Sequence, residues 1–162
     1  YEISACLVGS EMCIETDYLE QEPEACFVAV DKTDTPVGYI LCSKDYQAYQ
    51  ARFRKSYLPL IQARSILRAA LARMDLRIAG RYAGQYPAHM HIDILDAYQR
   101  MGIGHQLVNT LTASLAGQTT RGLMLSVGST NKKGVNFYKK YGFQRIGTAA
   151  FGSIVVMGLR LS

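Results

Sequence analysis

Three side chains that can accept or orient a proton alternate along one short stretch of the sequence. His89, His91 and Asp93 occupy every second position of AHMHIDIL (88–95), and such positions of an extended strand share one face. An imidazole can accept a proton near neutral pH, and a neighbouring carboxylate can orient it. We therefore treat these residues as candidate general bases, against the alternative that the face is simply polar and its histidines structural.

A pair of glycines follows this stretch. YQRMGIGH (98–105) places Gly102 and Gly104 two positions apart. A helix begins with unpaired N–H groups and a partial positive charge, and glycines there let a large anion approach the backbone. A dinucleotide fingerprint would require a glycine at the position of Leu107, and the Gly-Lys-Ser/Thr of a P-loop is absent. The remaining pattern, Q/R-x-x-G-x-G/A, predicts a pyrophosphate-binding turn, against a tight turn with incidental glycines.

The spacing of apolar residues predicts the elements that carry these groups. The alternation in 88–95 is typical of a strand, and apolar residues recurring every four positions predict an amphipathic helix over 102–116, closed by Gly117. Alternating apolar residues predict a second strand over 122–128. The segment 88–128 is therefore expected to be a βαβ unit with parallel strands and a right-handed crossover.

The remaining elements are predicted on both sides of this unit. Two apolar runs around a polar turn predict a β-hairpin over 26–42. We expect residues 46–76 to be helical with a break near Pro59, and residues 78–86 to form a loop. A short helix over 134–141 and two strands, roughly 143–149 and 153–161, complete the prediction. The chain is thus expected to have an α/β fold with a mixed sheet and flanking helices.

Length and composition fit one domain over residues 1–162. The chain is 49% apolar and 19% charged, and its length allows a sizeable core without disulfides or metals. Four cysteines, Cys6, Cys13, Cys26 and Cys42, form no C-x-x-C motif and have no histidine at ligand spacing, so we predict reduced thiols and no metal site. No apolar run reaches membrane-spanning length and no signal peptide opens the chain, so we expect a cytoplasmic protein without a membrane partner.

The net charge of +5 is concentrated in one segment. Residues 46–82 carry eight basic side chains and one acid, Asp75, which leaves ten basic and twelve acidic residues elsewhere. Such a segment could attract an anionic partner, although a solvated helix face is the simpler interpretation. Because the chain lacks the aromatic stacking platform of a single-strand binder, we do not expect nucleic acid as a partner.

A second motif narrows the interpretation. NKKGVNFYKKYGFQRIG (131–147) resembles N-x-x-A/G-x-x-F-Y-x-x-x-G-F, which follows the Q/R-x-x-G-x-G/A turn in the GCN5-related N-acetyltransferase (GNAT) superfamily. The chain is identified as a member of that superfamily from these two motifs, in this order. PEACFVAV, VGYIL, YPAHMHIDIL and RGLMLSVGSTNKKGVNFYKKYGF further resemble bacterial acetyltransferases related to the acetyltransferase-like C-terminal domain of O-GlcNAc hydrolases.

The resemblance implies a GNAT fold, with a mostly antiparallel sheet in which one parallel strand pair splays, and it implies acetyl-CoA as the cofactor. The backbone of Ile94 and Leu95 would hold the acetyl carbonyl and the pantetheine arm, and backbone amides from Arg100 to His105 would hold the pyrophosphate. Asn131 would contact the arm, and Phe137 would pack against the cofactor. The expected pyrophosphate turn comprises Gln99, Arg100, Met101, Gly102, Ile103, Gly104 and His105.

The resemblance also implies a role for Tyr138, which matches the tyrosine that faces the departing sulfur in the family. We expect it to donate a hydrogen bond that strengthens as the thiolate forms, against the alternative of an aromatic side chain that only packs the helix on the sheet. The general base is the least transferable assignment, because it varies within the superfamily.

One departure from the family pattern concerns the N-terminal part. YEISACLVGSEM (1–12) resembles the first helix of the family, so the first strand is expected to be missing from the sequence. The link between Ser10 and Tyr18 is short for the loops that cover the acceptor site. Glu20 and Glu22 could attract a cationic amine there, although a surface loop is the simpler interpretation.

Two functions remain open. The first is transfer of an acetyl group from acetyl-CoA to a primary amine of a small molecule, peptide or protein, by direct attack in a ternary complex. The alternative is a non-catalytic acyl-CoA-binding or protein-interaction module. A homodimer is left open, and the acceptor cannot be read from the sequence because acceptor loops vary independently of the cofactor motifs.

Overall fold

The computed structural model describes residues 12–116 and 120–161. Its strands are β1 (Phe27–Val30), β2 (Pro36–Ser43), β3 (Ala88–Ile94), β4 (Gly122–Gly128), β5 (Gln144–Ala149) and β6 (Ile154–Arg160). Its helices are α1 (Met12–Gln21), α2 (Tyr46–Ser56), α3 (Leu58–Arg64), α4 (Ile66–Gly80), α5 (Ile103–Leu115) and α6 (Lys132–Tyr141). These bounds confirm the predicted hairpin, the βαβ unit, the short helix and the last two strands.

The six strands form one open mixed sheet in the order β1-β2-β3-β4-β6-β5. The β3–β4 pair is parallel, whereas β4 with β6 and β5 with β6 are antiparallel. Pairing of β3 with β4 joins Ala88 to Leu123 and His89 to Met124, while β4 pairs with β6 from Gly122 to Gly128. The predicted α/β GNAT-type sheet, with a parallel pair joined over a short distance, is confirmed.

The chain folds into two compact units. Of the described residues, unit 1 contains 12–44 and 90–116, and unit 2 contains 45–89 and 120–161. In unit 1, α5 packs on β1 and β2. It buries the apolar stripe Leu107, Val108, Leu111 and Leu115, as its four-residue spacing predicts.

Unit 2 has its own apolar core. Phe53 of α2, Leu76 of α4, Leu125 of β4 and Met157 of β6 are all buried. The α4 helix packs on β5, and β6 lies between β4 and β5. Such layering of helices on a sheet buries one face of each element.

The helical segment differs from its prediction. It consists of three helices rather than two, with a second break at Ser65, and α4 continues to Gly80, so the start of the predicted 78–86 loop is helical. Ser65 is extended, and its hydroxyl accepts a hydrogen bond from the Arg68 amide at 3.3 Å, which makes it the N-cap of α4. Gly80 is the last helical residue, where a glycine costs little.

Two expectations lie outside the described residues: Gly117 as the end of α5, and the family's first helix over residues 1–12, of which only Met12 is described. Cys26 and Cys42 are thiols, and burial raises the pKa of Cys26. Within 12–116 and 120–161, no helix has the length and apolar character needed to cross a bilayer.

Candidate active site

The face of β3 that carries the predicted bases holds His91 and Asp93 in unit 1. His91 is partly buried, and its ring lies 6.3 Å from that of Tyr39. Asp93 is exposed, and its Oδ1 accepts a hydrogen bond from the Ile94 amide at 2.9 Å. Asp93 is thus bonded to the backbone of the predicted acetyl-carbonyl site.

His89 has a different environment. It belongs to unit 2, at the part of β3 that pairs with β4. Its ring is stacked on Tyr49 at 6.0 Å with an interplanar angle of 16°, and it lies 5.2 Å from the ring of Tyr46. Both tyrosines are buried members of α2. This aromatic packing supports the structural alternative for His89 more than it does for His91.

The predicted pyrophosphate turn has an unusual backbone. Arg100 and Gly102 have φ angles of 65° and 84°, and α5 begins at Ile103, directly after Gly102. Gly102 is the N-cap and supplies no side-chain hydrogen bond to the helix. Since the first amides of a helix have no partner within it, this end of α5 presents N–H donors with no side-chain cap from that residue.

The approach to this turn is held by hydrogen bonds within unit 1. The Leu95 amide donates to the Val37 carbonyl at 3.0 Å, which fixes the end of β3. Gln99 Nε2 donates to the Ile94 carbonyl at 3.1 Å and to Asp96 Oδ1 at 2.8 Å. The Gln99 side chain therefore stabilises the turn through its hydrogen bonds to the Ile94 carbonyl and to Asp96.

Asp31, which no pattern in the sequence singled out, anchors the same segment. Its Oδ2 accepts a hydrogen bond from Tyr98 Oη at 3.0 Å. Its Oδ1 accepts from the amides of Thr33 and Thr35 at 2.8 and 3.1 Å, and from the Thr33 hydroxyl at 2.7 Å. These bonds, led by the Thr33 hydroxyl, lower the pKa of Asp31 to about 2. Asp31 lies in the polar turn of the predicted hairpin, but no pattern in the sequence indicated its contact with Tyr98.

The predicted residues of the second motif lie on α6 in unit 2. Asn131 is the N-cap, and its Oδ1 accepts a hydrogen bond from the Gly134 amide at 2.8 Å. The partly buried Tyr138 ring makes edge contacts with Phe137 at 5.2 Å and Phe143 at 5.7 Å. Gly142 and Phe143 donate their amides to the Tyr138 carbonyl, which ends the helix.

The structure thus brings the predicted residues together in two groups. Unit 1 holds His91, Asp93, Ile94, Leu95, Gln99, Arg100, Met101, Gly102, Ile103, Gly104 and His105. Unit 2 holds His89, Asn131, Phe137 and Tyr138. Among the residues that the structure describes, no group of three or more His, Cys, Asp or Glu side chains could hold a metal ion.

Glu20 and Glu22, the acids considered for the acceptor site, have different surroundings. Glu22 accepts hydrogen bonds from the Ser43 hydroxyl at 2.7 Å and the Lys44 amide at 2.8 Å, which ties it to the end of β2. Glu20 is exposed on α1, and Tyr18 is fully buried there. Tyr18 and Glu20 thus belong to α1, so the surface loop expected there is wrong, and both Glu22 and Tyr18 have structural surroundings.

Comparisons with known proteins agree with this architecture. The profile of the acetyltransferase (GNAT) family matches residues 4–143. The crystal structure of SsHAT is similar, with 29% identity, a TM-score of 0.77, and coverage of 91% of this chain and 77% of SsHAT. PH1933 from Pyrococcus horikoshii matches at 22% identity and a TM-score of 0.61, covering 94% of this chain and 71% of that protein.

Ard1 from Thermoplasma volcanium also shares the fold, at 17% identity and a TM-score of 0.61, covering 99% of this chain and 86% of Ard1. The likeness to PH1933 and Ard1 concerns the fold alone. The family match, in contrast, spans the glycine turn and most of the second motif. The chain therefore belongs to the acetyltransferase (GNAT) family.

Proposed function

We propose that the chain is an acetyl-CoA-dependent N-acetyltransferase that transfers an acetyl group to a primary amine by direct attack in a ternary complex. The observation that carries this proposal is the left-handed Gly102 directly before α5, a helix start without a side-chain cap, in a chain of this family. Helix N-termini with such glycines bind phosphate groups because their amides and dipole favour negative charge. The donor set fits the diphosphate of coenzyme A.

Within the turn, the side chains leave the backbone accessible. Arg100 and Met101 are exposed, and beyond the two chain neighbours of Gly102 no described residue lies within 4 Å of the position that a Cβ there would occupy. The amides from Arg100 to His105 supply the hydrogen bonds, and Arg100 adds a positive charge on the same turn. Backbone donors hold the diphosphate in this proposal, and side chains only tune the affinity.

The acetyl-binding role falls on Ile94 rather than on Leu95. The Leu95 amide is already bonded to the Val37 carbonyl within the sheet, whereas the Ile94 amide is bonded to the exposed side chain of Asp93. A rotation of Asp93 frees the Ile94 amide at little cost, because the carboxylate then returns to water. Ile94 N–H can therefore polarise the thioester carbonyl and stabilise the oxyanion that forms as the amine attacks.

The amine must be neutral to attack. An alkyl amine with a pKa near 10.4 is almost entirely protonated at neutral pH, so a base or a chain of waters leading to one accelerates the reaction. His91 is the best candidate of the three, because His89 is packed against tyrosines and an imidazole accepts a proton near neutral pH more readily than the carboxylate of Asp93 does. It lies on the same unit as the turn, three residues before Ile94.

Tyr138 would hydrogen-bond the departing sulfur, while Asn131 contacts the pantetheine arm and Phe137 packs on it. A phenol is a weaker acid than a thiol by roughly 1.5 pKa units, so full proton transfer from Tyr138 is uphill by about 2 kcal/mol. A hydrogen bond that strengthens with the charge on sulfur is the more favourable contribution. Because Asn131 Oδ1 caps α6, its contact with the arm would come from the amide nitrogen.

The acceptor is an amine, as for the family in general. The sequence segments PEACFVAV, VGYIL, YPAHMHIDIL and RGLMLSVGSTNKKGVNFYKKYGF support a finer placement as a proposal, near the acetyltransferase-like domain of O-GlcNAc hydrolases. We propose a primary amine of a small molecule, peptide or protein as acceptor.

Two measurements test the proposal. Saturation with acetyl-CoA at about 100 times Kd should stabilise the protein by about 2.7 kcal/mol, or roughly 5–11 °C in Tm for a chain of this size. Release of free thiol is then followed across a panel of amines. No thermal shift would contradict both acetyl transfer and acyl-CoA binding. A shift without thiol release for any amine would favour the non-catalytic acyl-CoA-binding module.

The role of Tyr138 is tested by Tyr138→Phe, which keeps the ring and its edge contacts with Phe137 and Phe143. Loss of one hydrogen bond to a developing charge should lower kcat by about 100-fold with little change in the Kd for acetyl-CoA. Tyr141→Phe is the matched control, because Tyr141 lies on the same helix and contacts Phe143 as well. Equal kcat in the wild type and Tyr138→Phe would remove Tyr138 from the reaction.

A further inference from the structure

An exposed apolar surface covers part of α3 and α4 in unit 2. The side chains of Leu60, Ile66, Leu67 and Leu71 are 57%, 75%, 71% and 45% exposed. They are four of the eight large apolar side chains that are exposed in the described part of the chain, and they lie within twelve residues. Single exposed leucines are ordinary, but a cluster of them marks a surface for interaction.

The geometry of α4 explains why these side chains cannot join the core. The buried residues of this helix are Ala69, Leu76 and Ala79, which form its inward face. Leu67 and Leu71 are one helical turn apart and share a different face. The helix therefore has a second apolar stripe that the fold of unit 2 leaves in contact with water.

Next to this stripe is an open groove of about 490 Å³. Its apolar lining is Leu58, Pro59, Ala63 and Ile66, and Arg54, Gln62 and Arg73 also line it. Arg73 Nη2 donates to Gln62 Oε1 at 2.5 Å, which holds that guanidinium across the α3–α4 connection. The groove thus combines space for an apolar side chain with fixed positive charge beside it.

The charge of the surrounding segment is one-sided. Residues 46–82 carry eight basic residues, of which seven are exposed and only Arg52 is half-buried. Their single acid, Asp75, does not offset them at the surface, because its Oδ1 is buried. Arginine pairs with carboxylates through two parallel hydrogen bonds, and its weak hydration suits interfaces. The complementary partner is therefore negatively charged and carries apolar side chains.

We propose that the α3–α4 surface, defined as Leu60, Ile66, Leu67, Leu71, Arg54 and Arg73, binds an acidic amphipathic helix of a partner protein. A helix presents apolar side chains at i and i+4, which match the spacing of Leu67 and Leu71, and its carboxylates reach the arginines. A groove that accepts a side chain favours a helix over a lipid surface, and exposed leucines have no role on a nucleic-acid backbone. This proposal does not depend on the acetyltransferase function.

A peptide-display experiment on the full chain tests the proposal. A random library of peptides of about 15 residues, or four helical turns, is selected on the wild type and counter-selected on Leu67→Ser/Leu71→Ser. We expect enriched peptides rich in Asp and Glu, with apolar residues four positions apart. Their affinity, measured by fluorescence anisotropy, should fall about tenfold or more in Leu67→Ser/Leu71→Ser and in Arg54→Glu/Arg73→Glu.

Matched controls separate this surface from general charge and hydrophobicity. Val30→Ser removes an exposed apolar side chain of unit 1, and Arg145→Glu/Arg160→Glu reverses two exposed arginines on β5 and β6. Both should bind the selected peptides like the wild type. The substituted side chains lie at the surface, so circular dichroism and Tm should match those of the wild type.

Three outcomes would overturn the proposal. The first is a selection that enriches no acidic peptide over the counter-selected variant. The second is equal peptide affinity in all variants, which would show unspecific attraction. The third is binding of phosphatidylcholine–phosphatidylserine vesicles or of duplex DNA that is lost in the surface variants while peptide binding is absent. That result would assign the surface to lipid or nucleic acid.

Discussion

Replacement of Gly102 by alanine tests the backbone geometry of the pyrophosphate turn. Gly102 has φ 84° and ψ −5°, in the left-handed region, and beyond its two chain neighbours no atom of the described residues lies within 4 Å of the Cβ that alanine would add. The substitution therefore makes no clash with them, and its cost comes from the backbone conformation. That cost is about 1–2 kcal/mol. For a chain of this length it corresponds to a decrease in Tm of roughly 2–8 °C.

The same substitution should also weaken acetyl-CoA binding. The open space around Gly102 is where the diphosphate approaches the amides in the proposed complex, and a methyl group there holds the anion away from its donors. We expect the Kd for acetyl-CoA to rise by at least about tenfold, or 1.4 kcal/mol. Isothermal titration calorimetry measures this change directly, and thermal unfolding measures the loss of stability.

Gly152→Ala is the matched control. Gly152 also has a positive φ, 90°, and beyond its chain neighbours its added Cβ would also meet no described atom within 4 Å, but it lies in the turn between β5 and β6. It should lose similar stability without any change in the Kd for acetyl-CoA. Gly102→Asn is a second comparison, because asparagine tolerates the left-handed region. It should regain much of the stability and still bind acetyl-CoA poorly.

Diphosphate binding at this turn would be refuted if Gly102→Ala bound acetyl-CoA with the affinity of the wild type at a temperature where both are folded. An equal loss of affinity in Gly152→Ala would also refute it, because the effect would then follow from stability and not from the turn. The two readouts are independent, so a change in Tm alone does not support diphosphate binding.

Further predictions concern two carboxylates. Burial raises the pKa of Asp75, whose Oδ1 has no hydrogen-bond partner among the described residues, so its ionised form destabilises the fold. Asp75→Asn should raise the free energy of unfolding by about 1 kcal/mol at pH 7. This gain should vanish as pH falls through the raised pKa and Asp75 becomes neutral, and a gain that persists at low pH would contradict the explanation. The pKa of Asp31 is changed in the opposite direction, because it is lowered to about 2. Its contribution to the free energy of unfolding is therefore present above about pH 4 and is lost as pH falls towards 2. Asp31→Ala should therefore have a lower free energy of unfolding in urea than the wild type near neutral pH, and the difference should narrow below about pH 4. A difference that stays constant with pH would show that the negative charge of Asp31 adds nothing to the hydrogen bonds that its carboxylate accepts.

The elements that the sequence predicted well are those with a clear apolar period. The α5 helix carries Leu107, Leu111 and Leu115 at four-residue spacing and buries all three. The β4 strand is buried along most of its length, and its edges were correctly placed at 122 and 128. In α5 one periodic pattern faces one core, so few other conformations could bury the same side chains. In β4 the first four residues are all buried, so both faces of the strand are covered and the alternating apolar residues mark only one of them.

Prediction was weaker where a single side chain decides the geometry. Ser65 ends α3 and caps α4 through one hydrogen bond, and the apolar spacing of residues 60–67 gave no sign of it. The contact between Asp31 and Tyr98 joins positions 67 residues apart. Such contacts depend on where the fold brings two loops, which local patterns do not encode.

The phosphate-binding turn and the proposed base also differ in how far the sequence could predict them. Phosphate binding depends on backbone donors, and the backbone at Gly102 is specified by a residue type that tolerates positive φ, so glycine spacing can reveal it. Proton transfer depends on the direction of a side chain. His89, His91 and Asp93 alternate on one strand, yet one is stacked on Tyr49, one lies near Tyr39, and one accepts the Ile94 amide. Side chains at equivalent positions of the strand thus differ in chemistry because their neighbours differ. For this reason the sequence predicts the phosphate-binding turn more specifically than it predicts the base.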